Sequence, residues 1–301
     1  MDGAPILVLG ASGFLGPHLV AAARDSGARV AAASRSPERA PVVAGLAAHE
    51  LQRWDALRDG ATEALLDGVR PAAIVLAAAL SRAETCERDP DHARALNEEL
   101  PELVARLACE RGLRLVHLST DLVFGARPPA RERYAETDEP SPMHAYGRSK
   151  AAGEARVLAA DPGALVIRLP LLYGDSSGRG LGATDQVLAA LEHDGRPALF
   201  TDEWRTPLEA GDAARAVVEL VATSSSGILH VGGPVRLSRH ELGLELLRAR
   251  GIAPDRVRAA TRAEVALNAP RPGDVSLDSS RARALVRTPL RTPRAALGGL
   301  P

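Results

Sequence analysis

The stretch ILVLGASGFLGPHLV, residues 6–20, decides the fold. A short apolar run leads into Gly10, Gly13 and Gly16, and apolar residues at helical spacing follow, which predicts a strand, a glycine turn and a helix. Glycines at this spacing allow a tight turn, a close approach of the backbone to a pyrophosphate, and packing of the helix on the strand. The helix N-terminus supplies N–H donors for the phosphates. The turn therefore predicts dinucleotide binding; the alternative is a plain turn.

The second predicted strand, Arg29 to Ala33, ends in Ser34 and Arg35. Proteins that bind NAD usually carry an Asp or Glu near this point, where it bonds to the ribose hydroxyls. Arg35 instead offers a planar cation that suits a 2′-phosphate. This pattern favours NADP over NAD, and the alternative is a solvated loop arginine.

Further apolar runs predict the rest of a parallel sheet. They lie near residues 49–52, 72–79, 113–118, 164–168 and 227–231, with a helix over 91–111. The run 72–79 is continuously apolar, as in strands buried on both faces of a parallel sheet. The predicted fold class is therefore α/β, a Rossmann-like doubly wound parallel sheet.

Small and polar residues stand at the predicted carboxyl ends of the strands, where ligands bind in such sheets. Ala77, Ala78 and Ala79 end the fourth strand and leave room for a cofactor, although a strand packed by helices would show the same residues. Thr120 follows the fifth strand, and its hydroxyl could hold a carbonyl oxygen. The alternative for Thr120 is an ordinary cap.

The segment AYGRSKAAGE, residues 145–154, carries the strongest chemical signal. Lys150 is the only lysine in the chain, whereas every other basic side chain among the 37 is an arginine. Tyr146 lies four residues earlier, so the two side chains share one face of a helix. An ammonium beside a phenol lowers the pKa of the phenol, which suits a general acid or base. The alternative is a solvated helix turn.

Composition excludes several functions. The net charge is −1 with both signs interspersed, so we expect no nucleic-acid or membrane partner. The chain shows neither a leader peptide nor a long apolar run, which predicts a cytoplasmic protein. Cys86 and Cys109 are isolated, and the eight histidines form no ligand-like pair, so no metal site is expected.

Taken in order, GASGFLG, LSTDLVFG and AYGRSK resemble the motifs of the extended short-chain dehydrogenase/reductases. The runs AAALSRAETCERDPDHARALN, YAETDEPSPMHAYGRSKAAGE, IRLPLLYG and RPGDVSLDSSRA are similar to the dTDP-4-dehydrorhamnose reductase branch of that family. The resemblance covers nearly the whole chain. Two positions depart from it: Leu76 stands where Asn is frequent, and Leu171 stands where rhamnose-forming members have Trp.

The resemblance implies two parts and a set of site residues. A dinucleotide-binding domain would take residues 1–168 with 207–233 returning to it, and a smaller C-terminal substrate-binding part would take 169–206 and 234–301. The implied catalytic residues are Thr120, Tyr146 and Lys150. Implied cofactor contacts are Gly10, Ser12, Gly13, Phe14, Leu15, Gly16, Ser34, Arg35, Asp55, Ala56, Ala77, Ala78, Ala79, Tyr146, Lys150 and Leu171. Implied substrate contacts are Ser81, Thr120, Tyr146 and Arg205, the last by its spacing to Asp212; the alternative for Arg205 is a surface charge.

The function implied by the resemblance is reduction of the 4-keto group of a nucleotide-activated 6-deoxysugar with NADPH or NADH. An epimerase or dehydratase of the same fold is a second reading, and a non-catalytic regulatory subunit is a third. A homodimer is a further expectation. Asn97 and Tyr134 also fit the family pattern, and we interpret both as structural.

Overall fold

A computed structural model describes residues 3–39, 46–47, 50–125, 132–192, 195–266 and 269–298. Its main sheet has seven parallel strands in the order β11-β6-β5-β4-β1-β2-β3. The strands are β1 Ile6–Leu9, β2 Val30–Ser34, β3 Leu51–Arg53, β4 Ala73–Leu76, β5 Arg114–Thr120, β6 Leu165–Leu169 and β11 Gly227–His230. The order reverses beside β1, so the carboxyl ends of β1 and β4 border the crevice where such sheets bind ligands.

Short strands and eleven helices complete the described part of the chain. The strands are β7 Leu172–Tyr173, β8 Ala198–Phe200, β9 Trp204–Arg205, β10 Leu208–Glu209, β12 Leu237–Ser238 and β13 Arg258–Ala260. The helices are α1 Gly16–Asp25, α2 Ala61–Val69, α3 Ala83–Arg88, α4 Pro90–Arg94, α5 Leu100–Glu110, α6 Ala145–Ala160, α7 Ala183–Glu192, α8 Ala210–Val221, α9 Arg239–Ala249, α10 Ser280–Leu285 and α11 Pro293–Leu297. None of these described helices is long and apolar enough to cross a membrane.

Both faces of the main sheet are buried because successive strand residues point to opposite sides. Ile6 and Val8 of β1 join the apolar cluster under α1 and α8, whereas Leu7 and Leu9 join the cluster under α2, α5 and α6. The strands therefore read as continuous apolar runs, as the sequence predicted. The predicted α/β class with a parallel sheet is confirmed.

The predicted helix over residues 91–111 is confirmed, since residues 90–110 are helical without a break, but it contains a π-helical turn that the sequence did not predict. The chain forms α4, then a π-helical turn Ala95–Glu99, and then α5. The π-helical turn carries Asn97, whose amide bonds to both backbone groups of Leu80 and to the Ser149 hydroxyl. A buried polar tether between distant segments interrupts the regular helix, since such groups must find partners. The structural interpretation of Asn97 agrees with these bonds.

A separate apolar cluster lies beyond the main sheet. Tyr173, Val187, Leu199, Leu246 and Leu297 are among its buried members, and they come from α7, α9, α11 and the strands β7 and β8. β13 pairs with β8, and β12 pairs with β9. The predicted division into a dinucleotide-binding domain and a C-terminal substrate-binding part stays a prediction. Of the predicted third strand, residue 49 lies outside the described residues.

Candidate active site

Helix α6 is fixed closely against its neighbours at its N-terminal half. The His144 side chain caps the helix by accepting a hydrogen bond from Gly147 N at 3.0 Å. A Cβ on Gly147 would overlap the carbonyl oxygen of Leu122, and one on Gly153 would overlap that of Asn97. Only glycine permits such close backbone contact, so α6, the helix that carries Tyr146, is held in one position beside the end of β5.

Thr120 and Tyr146 lie next to each other where α6 packs beside the end of β5. Thr120 ends β5, and its hydroxyl donates to Asp121 Oδ1 and accepts from Leu122 N, each at 3.2 Å. Burial raises the pKa of the Tyr146 phenol above its ordinary value, while the neighbouring Thr120 hydroxyl acts to lower it. At neutral pH the phenol therefore carries its proton and can donate it.

Lys150 lies one helical turn after Tyr146, but the hydrogen bonds of its ammonium go to residues of β5. Its Nζ donates to the carbonyl oxygen of Leu118 at 2.8 Å and lies 3.1 Å from His117 Nε2. The lysine is 1% exposed, and this burial lowers the pKa of its ammonium to about 8, although the Glu154 carboxylate acts to raise it. The sequence predicted a lowered pKa for Tyr146; the structure gives the opposite direction, because the desolvation of the phenol dominates.

A buried ion pair lies on the other side of Lys150. Glu154 of α6 accepts from Arg168 of β6, with Nη2 to Oε2 at 2.7 Å, and also from the Ser119 hydroxyl. Arg168 is 0% exposed; its Nη1 lies 3.3 Å from His230 Nε2, and its guanidinium lies over the Phe124 ring. This cluster ties α6 to β5, β6 and β11, so it determines where the helix sits on the sheet.

Arg205 is buried rather than a surface charge. It is 5% exposed, its Nε lies 3.4 Å from Asp121 Oδ2, and its Nη2 lies 3.2 Å from Glu203 Oε1. Burial raises the pKa of Asp121 to about 6, against the pull of Arg205. Because Asp121 directly follows Thr120, Arg205 stands next to the residues that would face a substrate carbonyl.

The glycine turn comes into contact with the end of β4. Gly10 has φ +92°, and a Cβ there would lie 2.5 Å from Ala78 N. Gly16 is similarly pressed against the backbone of Ala11. This packing requires glycine at both positions and brings the turn and the alanine run together, as expected of a dinucleotide site.

The end of β2 offers groups for the cofactor ribose. Ser34 is buried, and its Oγ has no hydrogen-bond partner within the described residues. Arg35 is exposed beside it, and Arg53 of β3 donates to the Arg35 carbonyl oxygen at 3.0 Å. Asp55 is exposed, and Ala56 is half-buried. Arg53 also pairs with Glu38 at 3.2 Å. An orphaned Ser34 hydroxyl followed by an exposed arginine fits a phosphorylated ribose.

The remaining predicted contacts lie along the same edge with different exposure. Phe14 packs against Gly182, Leu15 is buried and Ser12 is half-buried. Ser81 is exposed after the alanine run. Leu171 packs against the separate apolar cluster that contains Tyr173 and Leu199.

Sequence reasoning missed four side chains near these groups. Asp121 shared the strand-end signal of Thr120, and His117 was visible only as a polar residue inside an apolar strand. Arg179 donates to the carbonyl oxygens of Ser12 and Gly13 at 2.7 and 3.3 Å, and Glu203 pairs with Arg205. The contacts of Arg179 join positions more than 160 residues apart, so no local pattern could reveal them, whereas Glu203 lies only two residues before Arg205.

Sheet order and the glycine turn define a Rossmann-type α/β protein, in which Thr120, Tyr146 and Lys150 are candidate catalytic residues. The chain belongs to the family described as RmlD substrate binding domain, whose model matches residues 4–300.

Similar proteins carry related descriptions. dTDP-4-dehydrorhamnose reductase of Mycobacterium tuberculosis is 32% identical over 299 residues, covering 97% of this chain and 90% of that protein. Methionine adenosyltransferase 2 subunit beta of Mus musculus is 30% identical over 254 residues, covering 81% and 74% of the two chains. The crystal structure of dTDP-4-dehydrorhamnose reductase from Bacillus anthracis in complex with NADP superposes with a TM-score of 0.84 at 22% identity, covering 98% and 97%. At that identity the superposition supports the fold.

Proposed function

We propose that this protein is an NADPH-dependent reductase of the 4-keto group of a nucleotide-activated 6-deoxysugar. The observation that carries the proposal is the protonated Tyr146 phenol beside Thr120 at the end of β5, with the only lysine of the chain one helical turn away. The Mycobacterium tuberculosis relative supports the substrate class, because it aligns over 97% of this chain and bears the name of such a reductase.

Each side chain has a defined task in this reaction. Tyr146 donates its phenolic proton to the carbonyl oxygen, and the Thr120 hydroxyl holds that oxygen in place. The Lys150 ammonium, one helical turn from Tyr146, would offset part of the phenolate charge that remains. When bound, the nicotinamide supplies the hydride. The raised pKa of Tyr146 keeps the phenol protonated before the reaction, and a cation beside it would lower that pKa toward the working pH, as a general acid requires.

The cofactor proposal is NADP over NAD, supported by the orphaned Ser34 hydroxyl and the exposed Arg35 at the end of β2. Arg35→Asp should weaken NADPH binding about tenfold to a hundredfold, because a charge-assisted contact to the 2′-phosphate is lost. NADH binding should change far less. Fluorescence titration of both cofactors measures this, and equal affinity of the wild-type protein for NADH and NADPH would contradict the proposal.

The substrate proposal places Ser81, Thr120 and Tyr146 around the sugar and Arg205 near the diphosphate. Arg205 supports this because its buried guanidinium reaches Asp121, the neighbour of Thr120. A homodimer and the division into two parts remain predictions.

The direct test is NADPH consumption with dTDP- and UDP-linked 4-keto-6-deoxyhexoses. Tyr146→Phe should lower kcat by about 10² to 10⁴, because only the acidic proton is removed. Tyr173→Phe is the matched control: that hydroxyl is buried without a partner in the described structure, so its loss should leave turnover intact. Lys150→Arg should also abolish most activity, since a guanidinium cannot fit the compact site beside Leu118. Full activity of Tyr146→Phe would refute the assignment.

A second function, a non-catalytic regulatory subunit, is favoured by the likeness to methionine adenosyltransferase 2 subunit beta. The NADPH consumption assay separates a reductase from a regulatory subunit. Absence of turnover with every sugar, despite tight NADPH binding, would favour the regulatory subunit. An epimerase or dehydratase would instead convert the sugar without net consumption of NADPH.

A further inference from the structure

His117 occupies an unusual place for a polar side chain. It lies within β5, paired in register with Leu76 of β4 and Val166 of β6, and is 0% exposed. Its Nε2 lies 3.1 Å from Lys150 Nζ, and its Nδ1 has no partner within the described residues.

The chemistry of the pair fixes the state of the imidazole. An ammonium can only donate, so Nε2 must be the acceptor and the ring proton must sit on Nδ1. Burial and the neighbouring ammonium hold the pKa of His117 well below its ordinary value, so the ring is neutral. A buried N–H without a partner is costly, and an apolar residue would pack the strand without that cost. The gain from histidine here is the acceptor that it offers Lys150.

Few other groups share the surroundings of Lys150. Charged and titratable neighbours are Tyr146 and Glu154 from α6, His117 from β5, and Arg168 from β6 through its pairing with Glu154. Among them His117 alone is seen bonded to the ammonium, together with the Leu118 carbonyl. Two of the three ammonium protons are thus held by β5.

We infer that His117 is a positioning residue, which holds the Lys150 ammonium on β5 and keeps it protonated where the reaction needs a cation. The kinetic consequence rests on the proposed reductase function. The inference about Lys150 itself does not, because it concerns an amine that can be observed without substrate.

The single lysine makes a direct measurement possible. Biosynthetic labelling with [6-¹³C]lysine gives one Cε resonance, and its pH titration reports the Lys150 pKa, which is about 8 in the wild-type protein. His117→Leu removes the acceptor, so the midpoint should fall by about one pH unit, a tenfold change in proton affinity. His117→Gln places an amide oxygen near the position of Nε2 and should restore the wild-type midpoint.

A second pair keeps the test decisive where the leucine variant does not fold. His117→Asn carries the same amide as His117→Gln but is too short to reach Lys150, so its midpoint should fall while that of the glutamine variant does not. Identical midpoints in these two variants, or an unchanged midpoint in His117→Leu, would overturn the inference.

Kinetics then connect the amine to turnover. The alkaline limb of kcat/KM should move down with the NMR midpoint in His117→Leu and return in His117→Gln. If His117 only packs the strand, His117→Leu should lower stability and leave the alkaline limb of kcat/KM at its wild-type pH. That result would count against the inference. Lack of turnover in the wild-type protein would overturn the proposed function, whereas the NMR titration would still decide the role of His117.

Discussion

Glu154→Gln tests whether the buried Glu154–Arg168 pair holds α6 on the sheet. The substitution keeps the side-chain shape and removes one charge, leaving the Arg168 guanidinium 0% exposed without a counter-ion. Breaking a buried pair on one side costs about 3–5 kcal/mol of unfolding free energy. Because whole domains are stable by only about 5–15 kcal/mol, this is a large share of the total.

The chain supplies a matched control. Arg156 and Glu102 also pair at 2.7 Å, but their side chains are 41% and 47% exposed. The shortest separation equals that of Arg168 and Glu154, but the exposed pair has a single bond and Arg156 has a second carboxylate, that of Glu98, at 3.6 Å. Glu102→Gln should cost at most about 1 kcal/mol, since solvent screens an exposed pair.

Urea unfolding followed by circular dichroism measures both variants, with the midpoint shift multiplied by a shared m-value. The double variant Glu154→Leu with Arg168→Met should recover most of the loss, because an apolar pair needs no counter-ion. A cost for Glu154→Gln no larger than that for Glu102→Gln would refute the reasoning.

Three further predictions follow from the same packing. Burial and the neighbouring Arg168 lower the pKa of His230 to about 3 in the folded protein, against an ordinary value of about 6.5. Between these values the unfolded chain binds a proton that the folded protein does not, so the stability should fall by up to about 1.4 kcal/mol for each unit by which the pH is lowered. His230→Gln should flatten this slope when urea midpoints are plotted against pH. Gly153→Ala should destabilise by overlap with the Asn97 carbonyl, whereas Gly68→Ala, with open space within α2, should stabilise by about 0.5–1 kcal/mol; equal thermal shifts would contradict this. Arg205→Lys should raise KM for the nucleotide sugar and leave the NADPH titration unchanged, because the planar fork is lost; an unchanged KM would remove Arg205 from the substrate site.

The main sheet could be predicted from sequence because its strands are buried on both faces. Each of β1, β2, β4, β5 and β6 falls within a few residues of its apolar run. The glycine turn was equally readable, since Gly10 is dictated by local backbone conformation and close packing.

The hydrogen-bond and ion-pair partners of the site residues could not be predicted from the sequence in the same way. Lys150 was correctly singled out by composition, but its bonds to His117 and Leu118 join positions more than thirty residues apart. Arg205 could be aligned with a phosphate-binding position, yet its burial against Asp121 depends on how β9 packs beside the end of β5. Spacing along a chain gives the face of a helix, whereas desolvation and long-range contacts set the pKa values.

The burial of the single lysine gives the chain an unusual proteolytic behaviour. A lysine-specific endoprotease has one possible cut, after Lys150, which would release residues 1–150 and 151–301. Since Lys150 is 1% exposed in the middle of α6, cleavage requires that helix to open. Under conditions where reclosing is fast, the rate of this one cut reports the population of molecules whose α6 is open. Ligands that hold the helix closed should slow the cut in proportion, so a gel with two fragments measures the local opening free energy of the candidate active site.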